Sequence, residues 1–517
     1  METKVKSQRE EKLLQSSFRK STISSTTESI ILWTILPVVC LICASFWLSL
    51  FFTGITNCAN SDTSTNTDAH APPSIPASKD RCKLTCSMEV VESIPENLTF
   101  DGLIPRSTFD AWTTLIRMAE AQMDIAAYKS SLRGKHVLGD SAPSSQQGEE
   151  VFDSLVEAGR ERQVKIRMVE NYPPKDPGDN EDGKGLQRRD AVERRSLHYS
   201  KIFGGGTMHS KFFVVDSKHF YLGSANLDWR SLSQKMELGV MVTNCPCLAE
   251  ELQRIFESYW ALTLLQNATG DIERSSMAEQ LTAPTAEYNQ QQPLEILHHG
   301  TPTNVYLAAS PRELNGQGRV WDLDAIISAI NSAERFLYIH VMDYIPMVVY
   351  REPQMYWPII DDAIRKAVME RGVEVKLLAA ALHFVPQTLR FLKSLQVLNG
   401  ASDGRIDVRI FHVPPMTKTQ SAIARERRTH NKFLVTEDTS IIGTSNWSGD
   451  YFLGNTGVAF VVQQHRSSID QRPFIHEMKA IFLRDWHSAY AHTLSNYITN
   501  CLNNSGTAKE CSVAKHR

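Results

Sequence analysis

The stretch "HSKFFVVDSKHFYLGSAN" at 209–226 is the strongest indication of the fold, because the chain repeats its pattern as "HNKFLVTEDTSIIGTSN" at 430–446. Both copies contain a histidine, a lysine, an acid, a glycine, a hydroxyl residue and an asparagine in the same order. Apart from the glycines, these residues are His209, Lys211, Asp216, Ser224 and Asn226 in the first copy, and His430, Lys432, Glu437, Thr444 and Asn446 in the second. We therefore treat the two stretches as one motif used twice.

Each motif has the character of a β-strand followed by a turn. "KFFVVD" and "KFLVTE" predict strands, and the glycine that follows each of them predicts a turn. Residues two apart on a strand face the same side, so we expect His209 to point with Lys211, and His430 to point with Lys432. Two halves related by a pseudo-twofold axis then supply one central site with two imidazoles and two ammonium groups.

The duplication extends well beyond the motif. Residues 148–169 resemble residues 357–378, and each stretch predicts an amphipathic helix that runs into a strand. "IFESYW" at 255–260 returns as "IFLRDW" at 481–486, and each predicts a helix that closes its half. Alternating helices and strands predict an α/β fold of two similar mixed sheets, packed side by side with helices outside.

The segment 30–52 is uncharged and long enough to cross a bilayer as a helix. Basic residues precede it and almost none follow closely, which places the amino terminus in the cytosol. A cleaved signal peptide is the alternative. We divide the chain into a cytosolic tail (1–29), a transmembrane anchor (30–52), a lumenal stalk (53–81), a first half (82–262), a connector (263–304) and a second half (305–517). The polar insert 173–190 in the first half predicts a solvated loop.

The composition indicates a folded protein without a basic surface. Of the 517 residues, 42% are hydrophobic and 22% are charged, and the formal net charge is -3. A polyanionic substrate must therefore be held locally, which disfavours a protein that coats nucleic acid. Cys58 lies just outside the anchor, and the six cysteines beyond it form an even set typical of disulfides in an oxidising compartment. These are Cys82, Cys86, Cys245, Cys247, Cys501 and Cys511.

Glycosylation sequons support the lumenal assignment. Those at Asn97, Asn267 and Asn503 predict modified surface loops. A fourth sequon begins at Asn446, inside the second motif, and we expect that side chain to be buried and unmodified.

The motif residues match the chemistry of a phosphodiester. Substitution at phosphorus needs a nucleophile, a proton for the departing oxygen, and donors for the charge on the non-bridging oxygens. Two histidines provide the first two functions, and the lysines, asparagines and motif hydroxyl groups provide the third. The acids Asp216 and Glu437 are expected to tie down the strands rather than to touch substrate. No metal or other cofactor is required.

Several residues near the motifs could take part in function, but structural roles account for them as well. Trp229 and Trp447 follow the two motifs, and core packing is a better interpretation than stacking on a nucleobase. His340 and Asp343 lie at the end of a predicted strand. Hydrogen-bonded positions in the core or at the rim of the site account for both.

The order His-x-Lys, four residues, an acid and Gly-Ser-x-Asn resembles the signature of the phospholipase D superfamily. The resemblance covers about Cys82 to Cys501 and implies two such motifs with a covalent phosphohistidine intermediate. The second motif departs from the signature at Glu437, where aspartate is usual, and at Thr444, where serine is usual. The anchor and the opening "ESIPENLTF" look like the type II membrane branch of the superfamily, which includes lysosomal five-prime exonucleases.

The resemblance also implies roles for residues outside the motifs. Glu237 lies where small nucleases of the family have an acid that hydrogen-bonds the catalytic imidazole, and the matching stretch "GNTGVAFVV" has none. A carboxylate on one ring nitrogen makes the other a better nucleophile. We therefore predict His209 as nucleophile and His430 as proton donor, with the opposite assignment left open.

The resemblance suggests disulfides that join Cys82 to Cys247 and Cys86 to Cys245, with a third between Cys501 and Cys511. The spacing of the cysteines alone does not fix this pairing.

Three functions stay open. The first is a lysosomal 5′-to-3′ exonuclease on single-stranded DNA or RNA, delivered through the endoplasmic reticulum and Golgi. The second is a phospholipase D or transphosphatidylase acting on a phospholipid. The third is an inactive membrane glycoprotein, which would be expected to have lost a motif histidine or lysine, whereas this chain keeps all four. The oligomeric state is also open, with a homodimer as one alternative.

Overall fold

The structure is a computed structural model that describes residues 78–266, 285–380, 385–465 and 472–497. The predicted tail and anchor and nearly all of the stalk lie outside the described residues. So do Asn267, Asn503, Cys501 and Cys511. Among the helices of the described ranges, none combines the length and the apolar character that crossing a membrane requires.

Ten strands form the first half. In chain order they are β1 (Ser87–Ser93), β2 (Arg106–Ser107), β3 (Gln122–Ala127), β4 (Ser130–Ser131), β5 (Lys165–Asn171), β6 (Glu193–Leu197), β7 (Lys211–Val215), β8 (His219–Gly223), β9 (Leu227–Asp228) and β10 (Glu237–Thr243). Eight of them form one mixed sheet in the order β2-β1-β10-β8-β7-β3-β5-β6, and β4 pairs with β9.

The second half repeats this arrangement. Its strands are β11 (Leu294–His298), β12 (Thr301–Ser310), β13 (Val320–Trp321), β14 (Phe336–Val341), β15 (Tyr344–Ile345), β16 (Met347–Val348), β17 (Met355–Tyr356), β18 (Glu374–Ala379), β19 (Arg405–Phe411), β20 (Lys432–Thr436), β21 (Thr439–Gly443), β22 (Trp447–Ser448), β23 (Gly457–Gln463) and β24 (Ala491–Thr493). The central order β12-β23-β21-β20-β14-β18-β19 matches β1-β10-β8-β7-β3-β5-β6 of the first sheet. The prediction of two similar mixed sheets is confirmed.

Helices flank both sheets. In the first half they are Ser78–Thr85, Thr108–Met118, Lys135–Leu138, Gln146–Val156, Glu181–Gln187, Tyr199–Phe203, Trp229–Ser233 and Pro246–Leu265, and in the second Asp322–Ser332, Ile359–Arg371, Val385–Gln396, Lys418–Ala422, Gly449–Leu453 and Pro473–His487. The repeated helix-to-strand segments and both closing helices lie as predicted. The predicted connector, 263–304, overlaps the end of one closing helix and the first strands of the second sheet.

The two halves contact each other reciprocally around the motifs. Met208, just before His209, forms a parallel bridge with Thr456, and Thr429, just before His430, forms one with Met236. Each bridge joins the residue before one motif to the residue before the last long strand of the other half. This reciprocity is what a pseudo-twofold relation between the halves predicts, and it brings the two motifs to one place.

The motif strands occupy the middle of their sheets. All five residues of β7 and all five of β20 are buried, because neighbouring strands and covering layers enclose them. Trp229 and Trp447 are also buried, in keeping with core packing. Asn97 is exposed, whereas Asn446 is buried.

The prediction that the whole insert 173–190 is a solvated loop is wrong. Its first residues are exposed, but the helix Glu181–Gln187 follows them. Asp182 in this helix is buried, and its carboxylate accepts hydrogen bonds from the backbone N–H of Arg133 at 2.9 Å and from the Arg133 guanidinium at 2.6 Å. Hydrogen bonds to a basic residue that is distant in sequence therefore stabilise the burial of part of this polar segment.

Two disulfides join the start of the described fold to one turn. Cys82 is bonded to Cys247 and Cys86 to Cys245, as the family resemblance suggests. The first bridge joins the helix Ser78–Thr85 to the first turn of the helix Pro246–Leu265, and the second joins the residue after the former helix to the residue before the latter. Disulfides of this kind are typical of proteins that fold in an oxidising compartment.

We expect removal of both bridges to destabilise the fold by about 2–5 kcal/mol, and removal of one to cost clearly less. The bridges close loops of similar sequence separation, 165 and 159 residues, so either one alone keeps most of the constraint on the unfolded chain. Chemical denaturation of Cys82→Ser/Cys247→Ser, Cys86→Ser/Cys245→Ser and the fourfold variant measures this. Equal losses for one bridge and for both would contradict it.

Candidate active site

His209 lies two residues before the start of β7 and is held by the second half. Its backbone N–H donates to Thr456 Oγ1 at 3.0 Å. Its ring packs between those of Tyr128 and Tyr451, with centroids 4.8 Å away in each case. Burial lowers the pKa of His209 well below its usual value, and the charges of nearby lysines add to this effect. Within the described residues, its Nδ1 has no hydrogen-bond partner.

His430 lies at the equivalent place before β20, but its environment differs. Its backbone N–H donates to the carbonyl of Met236 at 2.7 Å, and its Nδ1 lies 2.7 Å from Glu237 Oε2. Burial, followed by the charges of nearby lysines, lowers the pKa of His430 well below its usual value. The neutral ring that this favours carries its proton on Nδ1, facing the carboxylate, and leaves Nε2 with a free lone pair.

The contact of Glu237 corrects one prediction. The acid was expected to orient His209, its neighbour in the same half, yet it contacts His430 of the other half. The reason is the reciprocal packing, in which β10 of the first half begins beside the residue before the second motif. The argument that made His209 the nucleophile therefore applies to His430.

Two serines hold Glu237 in place. Ser224 Oγ donates to Glu237 Oε2 at 2.6 Å, and Ser231 Oγ donates to Oε1 at 2.7 Å. Burial raises the pKa of Glu237, while lysine charges and these hydroxyl groups lower it. The hydroxyl proton of Ser224 is thus donated to Glu237 in this structure, and phosphate binding by this residue stays a prediction.

The two motif lysines are buried beside the histidines. Lys211 Nζ donates to the carbonyl of His209, and Lys432 Nζ donates to the carbonyl of His430 at 2.5 Å. Burial lowers the pKa of both lysines, that of Lys432 to about 7. The charge of Lys432 adds to the lowering of the Lys211 pKa, so a phosphate bound between the two lysines would offset their mutual repulsion.

The remaining motif residues divide between the site and the structure. The side-chain oxygens of Asn226 and Asn446 are buried and have no hydrogen-bond partner among the described residues. Thr444 Oγ1 accepts a hydrogen bond from the backbone N–H of Val458 at 3.0 Å, which leaves its proton for another acceptor. The two asparagine oxygens are therefore open acceptors, and the Thr444 hydroxyl is an open donor, beside the histidines and lysines.

The motif acids lie at the opposite ends of their strands. Asp216 accepts from three backbone N–H groups at 2.8–2.9 Å, those of Glu120, Ala121 and Gln122. Glu437 accepts from three equivalent groups at 2.6–3.4 Å, those of Glu334, Arg335 and Phe336. Both acids belong to the signature, and in this structure each fastens a motif strand to its neighbour, as expected for acids that tie down the strands.

Sequence reasoning missed three tyrosines near His209. Tyr128 and Tyr451 contact its ring, and the ring of Tyr350 lies 6.3 Å from that of Tyr451. Tyr128 follows the strand that pairs with the first motif strand, and Tyr451 follows the second motif by five residues. That spacing from the motifs was the available signal. His340, by contrast, is a core residue that contacts Thr429 at 2.7 Å.

The arrangement provides a nucleophile, a proton carrier and cations in one buried place. His430 has an acid on one nitrogen, whereas His209 has aromatic neighbours, so the two imidazoles are chemically distinct. Lys211 and Lys432 supply positive charge for non-bridging oxygens. In the described ranges, no group of three or more histidine, cysteine or acidic side chains is arranged to hold a metal ion.

A family model and several known proteins match most of this chain. A family model described as "PLD3/4, PLD-like domain" matches residues 103–416. The protein named 5'-3' exonuclease PLD3 from Xenopus laevis is 40% identical, over 82% of this chain and 84% of its own. The protein named 5'-3' exonuclease PLD4 from Homo sapiens is 36% identical, over 79% of each chain.

A solved structure supports the fold alone. It is the phosphatidylserine synthase of Haemophilus influenzae Rd KW20, which aligns with a TM-score of 0.52 at 11% identity. The alignment covers 78% of this chain and 92% of that chain.

Proposed function

Because the chain belongs to the PLD3/4, PLD-like family, we propose that it is a phosphodiesterase that removes nucleotides from the 5′ end of single-stranded nucleic acid. The relatives described above carry the name 5'-3' exonuclease. The observation that carries the proposal is the reciprocal bridging of Met208 with Thr456 and of Thr429 with Met236. It supports one site that contains both His/Lys pairs.

The first chemical step is transfer of the phosphoryl group to His430. Nε2 attacks phosphorus and forms an N–P bond, while the bond from phosphorus to the 5′ oxygen of the remaining strand breaks. His209 donates a proton to that departing oxygen. Lys211 and Lys432 stabilise the charge on the non-bridging oxygens.

The second step releases the product. The terminal nucleoside stays bound to the enzyme through its 3′ oxygen and the phosphohistidine. Water attacks phosphorus as His209 accepts its proton, and the N–P bond breaks. The product is a nucleoside 3′-phosphate, so the polarity of the product follows from which oxygen leaves.

A lumenal, lysosomal location completes the proposal. The two disulfides support folding in an oxidising compartment. The exposed sequon at Asn97 is available for glycosylation there. The single membrane anchor at 30–52 stays a prediction from the sequence.

The function is tested with the purified glycosylated lumenal part, end-labelled single-stranded DNA and phospholipid, assayed side by side in EDTA. We expect stepwise release of 3′-mononucleotides from the 5′ end despite the chelator, because the histidines and lysines supply the required groups. Turnover of phospholipid without mononucleotide release would favour the lipid phosphodiesterase instead. Loss of activity in EDTA that added metal restores would contradict the proposed chemistry.

The pKa of Lys432 predicts how activity depends on pH. Burial lowers that pKa to about 7, although the charges of Glu237 and Asp343 raise it in part. The lysine stabilises phosphate oxygens only when protonated, so kcat/KM should fall as the pH rises through about 7. The enzyme is then most active at mildly acidic pH, which matches the pH expected in a lysosome.

Lys432→Arg separates this lysine from the other titrating groups. A guanidinium stays protonated throughout this range, so the alkaline fall in kcat/KM should move upward by more than about one pH unit, whatever the residual rate. An alkaline fall that stays where the unmodified enzyme has it would assign that fall to His209 instead.

A further inference from the structure

A row of aromatic side chains leads away from His209 along one edge of the first sheet. β3, β5 and β6 are parallel neighbours, so their carboxyl ends meet at that edge. The residue after each strand is aromatic, namely Tyr128, Tyr172 and His198. Tyr128 contacts the His209 ring, but the proposed chemistry uses neither Tyr172 nor His198. Ligands of α/β sheets commonly bind outside the carboxyl ends of the strands.

Tyr172 is exposed, yet its surroundings hold it in place. Of its surface, 46% is exposed. Its backbone N–H donates to the carbonyl of Leu197 at 2.9 Å, and its ring meets that of His198 edge-on, with centroids 5.2 Å apart. The preceding residue, Asn171, accepts a hydrogen bond at 2.9 Å from the N–H of Met208, just before the first motif. An exposed aromatic surface is thus fixed beside that motif.

An exposed cation follows in the same loop. Lys175 forms no ion pair with an acid of the described ranges. After burial and the two motif lysines, the charge of Lys175 also lowers the pKa of His209. The same charge acts on Asp343 of the second half. Lys175 therefore lies within electrostatic reach of both sides of the site.

The proposed mechanism indicates which part of the substrate comes to this edge. His209 protonates the 5′ oxygen of the remaining strand, so that strand begins beside His209. In the sheet, β5 lies two strands from β7, a distance of about 10 Å. The first nucleotides of the remaining strand are therefore within reach of Tyr172. Every base presents a π-face to an aromatic ring, and every phosphate attracts a lysine.

We propose that Tyr172, supported by the edge of His198, stacks on a base of the remaining strand, and that Lys175 contacts a phosphate of the same strand. This rests on the proposed exonuclease function. The edge holds the remaining strand while the terminal nucleotide is removed. Stacking requires only a π-face, so the site accepts any base. A base that is paired and stacked inside a duplex has no free face, so the site takes single strands.

Tyr172→Ala tests the stacking. The variant should raise KM for a single-stranded oligonucleotide by about tenfold, with little change in kcat, because the lost contact holds substrate before and during the reaction alike. Tyr172→Phe keeps the aromatic ring and should change KM by less than about twofold. Circular dichroism of each variant checks that it is folded.

Abasic nucleotides identify the base that Tyr172 contacts. They are placed in turn at the second, third and fourth positions from the 5′ end. At one position, the abasic nucleotide should raise KM of the unmodified enzyme by about tenfold. With that oligonucleotide, Tyr172→Ala should add no more than about a further twofold, since its partner base is already missing. The measurement on the unmodified enzyme does not depend on the folding of any variant.

Lys175→Ala tests the phosphate contact. For single strands, the logarithm of affinity falls with the logarithm of salt concentration by about 0.7 for each phosphate contacted. The slope of kcat/KM against salt should therefore become shallower by about 0.7 in this variant. Lys165→Ala is the matched control, because Lys165 is also exposed but lies at the opposite end of β5. It should leave the slope unchanged.

The results that would overturn the proposal are distinct for its two parts. An unchanged KM in a folded Tyr172→Ala variant, or abasic nucleotides without effect at all three positions, would overturn the stacking. A salt slope that is the same for Lys175→Ala and Lys165→Ala would overturn the phosphate contact. Turnover of phospholipid with no oligonucleotide degraded would instead contradict the exonuclease function.

Discussion

His430→Ala is expected to abolish exonuclease activity, with a loss of at least about 10³-fold in kcat. The variant lacks the atom that forms the N–P bond, and no other described side chain stands in its place with an acid on its far nitrogen. His209→Ala should be similarly severe on DNA, because the departing 5′ oxygen then leaves without a proton. Loss of activity alone does not separate the two roles.

A substrate with an activated leaving group separates them. When the 3′-phosphate of thymidine is esterified with 4-nitrophenol, the leaving group departs without protonation. His209→Ala should then release about one equivalent of 4-nitrophenol in a fast burst, followed by slow turnover, because the base that activates water is missing. His430→Ala should give no burst. Mass spectrometry of the quenched His209→Ala protein should find the phosphoryl group on His430.

The exposed His412 provides the control, since His412→Ala removes an imidazole of the second half outside the site. It should keep the activity of the unmodified enzyme. A burst from His430→Ala and none from His209→Ala would restore His209 as the nucleophile. Near-normal turnover of DNA by either motif variant would contradict a two-histidine mechanism.

The fold was predictable because its signals are local and occur twice. The strand of each motif, the helix-to-strand segments and the closing helices can be read from short stretches, and the second copy confirms each interpretation. Two copies also imply a shared site, since neither half contains a complete set of catalytic groups. The central strand order follows from the duplication once one half is known.

The partner of Glu237 was not predictable in the same way. In sequence, this acid lies 28 positions from His209 and far from His430, and it was assigned to the nearer histidine. The contact with His430 arises only when the two halves pack reciprocally. A property that depends on the interface between duplicated halves cannot be read from either half alone.

Burial of polar residues was the second failure. Asp182 belongs to a segment whose composition is that of a loop, yet Arg133, about fifty residues away, makes its burial favourable. Ser224 belongs to the motif, yet its contact with Glu237 could not be read from the motif alone. In both cases hydrogen-bond partners distant in sequence decide the role.

Glu237→Ala is expected to lower kcat by about 10³-fold. This loss is larger than the one typical of removing a residue that orients a metal-bound histidine. It is smaller than the loss seen when a catalytic triad lacks its ionised acid. Without the carboxylate, the proton of His430 can move from Nδ1 to Nε2. Nε2 then has no free lone pair with which to attack phosphorus. Because Glu237 does not touch substrate in the proposed mechanism, KM should change little. The burst of 4-nitrophenol should slow in proportion to kcat.

Glu237→Gln tests whether orientation or charge matters more. The amide oxygen can still accept the Nδ1 proton of His430 while the amide nitrogen faces Ser231, whose hydroxyl can accept as well as donate. The tautomer is then kept and only the charge is lost, so we expect a loss of about 10–100-fold. Equal losses for the glutamine and alanine variants would show that the charge carries the whole effect.

The second half provides a matched control for this prediction. Gly457 occupies the place equivalent to Glu237, and a Cβ there would lie 2.1 Å from Ser445 Oγ and 3.1 Å from Asp322 Oδ2. Asp322 is a buried acid that accepts hydrogen bonds from two serines, as Glu237 does, but it has no hydrogen bond to a histidine of the described ranges. Asp322→Asn should therefore lower stability without slowing the burst. If Asp322→Asn slows the burst as much as Glu237→Gln does, the acid beside His430 is only a structural residue, and the asymmetry of the two histidines must come from the tyrosines around His209.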